Sequence, residues 1–325
     1  MWNKVRLALA LSLVIVITVT SVVLAGEQIA AVPPITIPVL VNVIDTSIWA
    51  LPSPDPAGIA YYPINNSLYV TDSEVDGIPD LFEGDNVFLS TLSGILTDSQ
   101  TVMGFSKEPA GLAIDTFNNH FYIADDDQMK IYEVHPGADG ILGTVDDVLS
   151  DISTAAFGSL DPEGVAYGGG ELFISDGLGA EVYRLNPGAN KIFDGVPPDG
   201  DDTVTSFDTL VLDVKDPQAI EYNHLGQTLF ITGGQSDYIV ETTKQGVAIR
   251  LIDITALPTI ATSGLALGRI SDGPPTTFSL YMSDRGVDEG SDPNENDGRI
   301  FEITVEDFEL EGMYLPMILQ ASSSQ

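Results

Sequence analysis

Residues 109–113 read PAGLA and residues 121–125 read FYIAD, and this pair of short runs recurs along the chain. The first run returns at 56–60 (PAGIA) and 162–166 (PEGVA), with degenerate copies at 217–221 (PQAIE) and 262–266 (TSGLA). The second returns at 68–72 (LYVTD), 172–176 (LFISD), 229–233 (LFITG) and 280–284 (LYMSD). A third apolar segment follows each pair, at 87–90, 131–134, 182–185, 239–242 and 300–303. A fourth follows at 95–105, 148–157, 204–210 and 247–254, but no copy comes after residue 303. Four short strands at a period of about fifty residues suit the blade of a β-propeller.

The missing strand lies at the other end. Residues 39–49 (VLVNVIDTSIW) read like 247–257 (VAIRLIDITAL), and both precede a copy of the first run. The expected fold is therefore all-β: a propeller of five four-stranded blades over 39–305, closed by the N-terminal strand, with a sixth, eroded blade as the alternative. Closure removes the open edge that a linear array would present. A β-solenoid or a pair of sandwiches leaves the match between the two ends unexplained. Runs such as LFISD lack polar alternation because a middle strand is covered on both faces by neighbouring blades.

The grammar resembles NHL-type and gluconolactonase-like propellers. Segments 161–167 (DPEGVAY), 176–185 (DGLGAEVYRL), 284–288 (DRGVD) and 292–303 (DPNENDGRIFEI) are most similar to bacterial secreted proteins related to the SdiA-regulated family. The resemblance spans residues 40–305, and it speaks to fold more than to activity. A gluconolactonase-like site implies a central metal held by a channel Glu, Asn residues from neighbouring blades and an Asp. Glu163 matches the first role and Asp284 or Asp176 the last, whereas Ala57, Ala110 and Gln218 stand at the positions comparable to the Asn residues.

Composition narrows the partners. The 325 residues carry 12 Lys+Arg against 48 Asp+Glu, a formal charge of −36. Such a surface repels phosphate backbones, which argues against nucleic acid and favours cations. With no cysteine, disulfides, thiolate zinc sites and a cysteine nucleophile are excluded. Hydrophobic residues make up 44% of the chain, enough for a large core, while 31 Gly and 20 Pro supply turns rather than long helices.

Lys4 and Arg6, the apolar run 7–24 and the small residues before Gly26 have the layout of a cleaved signal peptide over residues 1–25. An uncleaved anchor is the competing reading. A Pro-rich linker (26–38) follows, and a tail (306–325) whose apolar patch 313–319 is too short to span a bilayer. The expected location is extracellular or at the cell surface, with no membrane span in the mature chain.

In a blade whose strands alternate in direction, the second-to-third and fourth-to-first connections share one face, termed the top. The residue between Pro and Gly then points to the upper channel mouth, at Ala57, Ala110, Glu163, Gln218 and Ser263. The top loop 72–83 (DSEVDGIPDLFE) matches an EF-hand-like calcium template through Asp72, Glu74, Asp76, Asp80 and Glu83, with Gly77 at the sharp turn. The top loop 284–298 offers Asp292, Asn294, Asn296 and Asp297. On the bottom face, loops 136–147 and 187–202 pair Asp139, Asp146 and Asp147 with Asp194, Asp199, Asp201 and Asp202. Hard oxygen ligands favour Ca²⁺ over zinc or copper. A solvated acidic turn is the alternative at each place.

Catalytic signals are thin. No G-x-S-x-G elbow is present, and His120, His135 and His224 fall in or beside bottom loops, where they read as turn residues. The resulting expectation is a secreted or cell-surface, calcium-binding propeller that acts as a non-catalytic binding module. Its ligand would be a small molecule, glycan or protein on the top face. The alternative is a metal-dependent ester or lactone hydrolase with its site at the channel mouth.

Overall fold

The computed structural model describes residues 32–287 and 296–305. Five four-stranded antiparallel blades form the propeller, and the described residues contain no α-helix. Blade one runs outward from the channel as Pro56–Tyr62, Ser67–Asp72, Val87–Thr91 and Leu96–Gln100. Blade two is Pro109–Asp115, His120–Asp125, Lys130–His135 and Val148–Ser153; blade three is Pro162–Gly168, Glu171–Asp176, Glu181–Asn186 and Thr203–Asp208. Blade four is Pro217–Asn223, Thr228–Gly233, Tyr238–Thr242 and Ala248–Asp253.

Blade five takes Thr262–Arg269, Phe278–Asp284 and Arg299–Thr304 from the C-terminal part of the chain, and its outer strand is Val39–Asp45. That strand pairs antiparallel with Arg299–Thr304, placing Ile44 opposite Ile300 and Asp45 opposite Arg299. The closure expected from the repeat count is present. Within the 26–38 stretch, Ile35–Thr36 adds a short parallel strand outside blade four. Two residues are too few for any alternation to mark them in the sequence.

Each blade interface holds its own hydrophobic cluster. Leu172 and Ile174 pack towards blade two, with Tyr122 and Ile152, while Phe173 between them packs towards blade four, with Ile220 and Leu229. Successive strand residues point to opposite faces, so a strand flanked by two blades must be apolar throughout. Burying one such side chain contributes about 1.5–3 kcal/mol.

The Pro-x-Gly run has a steric cause. A Cβ on Gly111 would lie 2.6 Å from the Glu163 carbonyl oxygen and 2.6 Å from the Val165 nitrogen on the next inner strand. Gly58 meets Ala110 in the same way, Gly164 meets Gln218, and Gly264 meets Ala57 across the ring closure. Backbones this close exclude any side chain. The hydroxyl before the terminal Asp stitches the same seam: Thr71 Oγ1 accepts the Gly58 N–H (2.9 Å) and donates to the Ala110 carbonyl (3.0 Å). The inner strands come together so tightly that the glycine girdle encloses a void of only about 10 Å³. A space that size holds at most about one water, so the channel is narrow at the level of the girdle and opens into a bowl at its mouth.

Candidate functional site at the top of the channel

The top face is built on the Asp that ends the second strand of blades one, two, three and five. Asp72 is fully buried and accepts from Ser53 Oγ (2.6 Å), Asp55 N (3.0 Å), Glu74 N (3.1 Å) and Val75 N (2.8 Å). Asp125 takes Ser106 Oγ (2.6 Å) and Gln128 N (2.8 Å); Asp176 takes Leu160 N (2.8 Å), Asp161 N (3.2 Å) and Gly179 N. Asp284 accepts from Ile260 N (2.9 Å) and Ala261 N (2.6 Å). Each carboxylate therefore clamps the loop entering its blade, and those of blades one to three also clamp the loop leaving the second strand.

This placement redistributes the expected metal ligands. Asp72, first residue of the calcium template, spends both oxygens on backbone and hydroxyl donors. No three of Asp72, Glu74, Asp76, Asp80 and Glu83 gather their carboxylate oxygens within 4.8 Å. In the loop of blade five, Asp292 and Asn294 lie outside the described residues. Asp297 Oδ1 accepts the Val287 N–H (3.3 Å), and Asn296 donates to the Ser47 carbonyl (3.0 Å). Asp139, Asp146 and Asp147 do bring carboxylate oxygens together within 4.8 Å.

At the channel mouth one cation organises the centre. Arg285, leaving the second strand of blade five, reaches across the bowl to donate to Gln218 Oε1 of blade four (2.8 Å) and Glu163 Oε2 of blade three (3.3 Å). Ser263 instead donates to the Pro56 carbonyl (2.6 Å) and belongs to the ring seam. Ala57 and Ala110 are buried in that seam.

Carboxylates surround the guanidinium. Oxygens of Asp126, Asp161 and Glu163 lie within 4.8 Å of one another, and those of Glu108, Asp126 and Asp127 form an adjoining group. Burial pushes the Glu163 carboxyl up to about 7; Arg285 opposes the shift, and Asp126, Asp161 and Asp216 reinforce it. Glu108 is likewise pushed up to about 7 by burial, with Asp127 and Asp126 adding. Burial alone would lower the Arg285 value, but Glu163, Glu74, Asp126 and Asp55 hold it above the ordinary one. The sequence reading found Glu163 and Gln218 but missed Arg285, Asp126, Asp161 and Glu108. Their only sequence signal is position: each lies one residue from a repeat boundary.

From this centre a cleft of about 640 Å³ runs over the top of blade four, lined by Asp213, Lys215, Asp216, Asp237 and Tyr238 and ending at Gln218 and Arg285. The bottom face has a second recess, about 450 Å³, between blades two and three. There His120 Nδ1 lies 2.6 Å from Glu133 Oε1, which also accepts from the Tyr122 hydroxyl (3.2 Å). The His135 ring stands edge-on at 5.0 Å from His120. His120 and His135 thus line one polar recess rather than separate turns, because antiparallel strand pairing returns both to one end of the blade. His224 lies in the blade-four turn.

The ligand set of a gluconolactonase-like metal is only partly present at this mouth. The Glu pairs with Arg285 and Asp176 is saturated by N–H donors, whereas Asp284 accepts two N–H groups on Oδ1 and keeps Oδ2 buried without a hydrogen-bond partner.

No protein-family model matches the sequence, and no curated protein matches it. Solved structures share the fold. Glutaminyl cyclase from Myxococcus xanthus superposes with a TM-score of 0.53 at 13% identity, covering 84% of this chain and 98% of that one. A luciferin-regenerating enzyme gives 0.51 at 14% identity, over 84% and 97% of the two chains. A calcium-binding protein, regucalcin, from Agrobacterium tumefaciens gives 0.48 at 13%, over 86% and 98%. At these identities the first two likenesses support the propeller fold and say nothing of its chemistry.

Proposed function

We propose that this chain is an exported β-propeller that binds a small polar ligand on its top face without transforming it. The observation that carries the reading is Arg285. Its guanidinium stands at the centre of the mouth, between Glu163 and Gln218, where a lactonase-like reaction would need a Lewis-acidic metal. A divalent ion sharing Glu163 would meet that fixed positive charge. Arginine offers five donors in a planar fork and does not release a proton at ordinary pH, so it recognises acceptor groups rather than performing acid–base chemistry.

The adjoining cleft sets the ligand's character. Arg285 and Lys215 favour a carboxylate or hydroxyl-rich end, and Asp213, Asp216 and Asp237 favour an ammonium end. Amino acids and amino sugars have this pairing. Calcium is the ion we assign to the protein's acidic loops, in a structural role, because the clustered donors are all carboxylates. The N-terminal segment supports export to the cell surface or medium.

The test pairs binding with turnover. Calorimetry with a panel of amino acids and amino sugars should find a ligand whose affinity Arg285→Ala removes, while lactone and aryl-ester substrates show no turnover with calcium, magnesium, manganese or zinc. Turnover that Glu163→Gln abolishes, with the fold intact, would replace this reading with the hydrolase.

A further inference from the structure

Loop 187–202 of blade three folds so that carboxylate oxygens of Asp194, Asp201 and Asp202 lie within 4.8 Å of one another. Asp202 is only 1% exposed. Its Oδ2 accepts the Gly195 N–H at 2.8 Å, but its Oδ1 is buried with no hydrogen-bond partner. An orphaned buried acceptor costs about 1–3 kcal/mol, and more when charged. A cation would relieve both the missing partner and the mutual repulsion.

Blade two provides an internal comparison. Ala138 N donates to Asp146 Oδ2 (2.7 Å) as Ala189 N donates to Asp201 Oδ2 (2.9 Å). Gly143 N donates to Asp147 Oδ2 (2.7 Å) as Gly195 N does to Asp202. The scaffold is shared, but Asp147 is only half-buried and none of the blade-two carboxylates has an orphaned buried oxygen. The loops differ in the one feature that asks for a ligand.

We propose that Asp194, Asp201 and Asp202 hold a calcium ion that fastens loop 187–202 onto blade two. The proposal rests on the calcium reading above and gives it a location. Three carboxylates with two of them at the surface leave room for water to complete the six to eight oxygens that calcium takes, whereas magnesium demands a near-ideal octahedron. The fastening point is Phe193, next to Asp194, which is 6% exposed and packs edge-on against Tyr122 with ring centroids 5.7 Å apart. Lys191, Ile192 and Phe193 also wall the bottom recess, so the ion would shape that recess through the loop.

The experiment uses the full chain, stripped with chelator and titrated with calcium alone. Calorimetry reads the number of ions bound, and hydrogen exchange reads loop 187–202. The wild type should bind calcium with slowed exchange in that loop. Asp201→Asn/Asp202→Asn should lose one ion per chain together with the loop response, and Asp139→Asn/Asp146→Asn should keep the loop response. Asp194→Asn, at an exposed position, repeats the test if the double variant does not fold. Unchanged stoichiometry and loop response in these blade-three variants would overturn the site while leaving calcium binding elsewhere intact. A wild type that binds no calcium would overturn both readings.

Discussion

Glu221 should make this protein less stable as pH rises. It stands on the inner strand of blade four, and its Oε1 accepts the Leu267 N–H of blade five at 3.0 Å. Burial pushes its carboxyl from the ordinary 4.5 up to about 8, against the opposing pull of the Leu267 and Tyr222 N–H groups. Between those two values the folded protein keeps a proton that the unfolded chain has released. The contribution to stability is therefore full below about pH 4.5 and is lost as pH rises towards 8. Each pH unit across the interval costs about 1.4 kcal/mol, for a total of up to about 5 kcal/mol. Net stabilities of domains run to about 5–15 kcal/mol, so the effect is measurable.

Glu221→Gln keeps an oxygen for the Leu267 N–H and never ionises. Urea denaturation at pH 5 and pH 8, with chelator present, should give similar stabilities for variant and wild type at the lower pH. At the higher pH the variant should be more stable by a few kcal/mol. Glu163 and Glu108, also raised to about 7, titrate in both proteins and cancel in the difference. Parallel stability curves for the two proteins would refute the reasoning.

Deleting residues 1–45 removes the outer strand of blade five and exposes the edge of Arg299–Thr304; size-exclusion chromatography should show aggregation, and a monomer with an unchanged Tm would contradict closure. Gly111→Ala drives a methyl into backbone atoms 2.6 Å away and should cost at least about 1–3 kcal/mol. Gly104→Ala, where nothing lies within 4 Å, should stay within about 0.5 kcal/mol in the same denaturation assay.

Much of the architecture was legible because each repeated residue does a local job. The glycine of Pro-x-Gly admits the next inner strand, the Thr or Ser of the second strand stitches that seam, and the Asp after it holds the incoming loop. Such roles recur in most of the blades, so they print a period in the sequence. The same Asp heads the calcium template at residues 72–83. Spacing places Asp72 first in a calcium template, but nothing in the spacing reveals that four donors already surround it.

Arg285 and Glu163 are 122 positions apart and share no motif; only ring closure sets blades three and five across one narrow bowl from each other. Asp126 and Asp161 read as two more acids in an acidic chain until folding brings their oxygens beside Glu163. Asp194, Asp201 and Asp202 were visible as a cluster in kind, yet the orphaned oxygen of Asp202 exists only because the loop buries it. Periodic local contacts write themselves into the order of residues. Charge pairing and desolvation across the ring depend on distances in space, and these came into being only when the outer strand from the N-terminus shut the fifth blade.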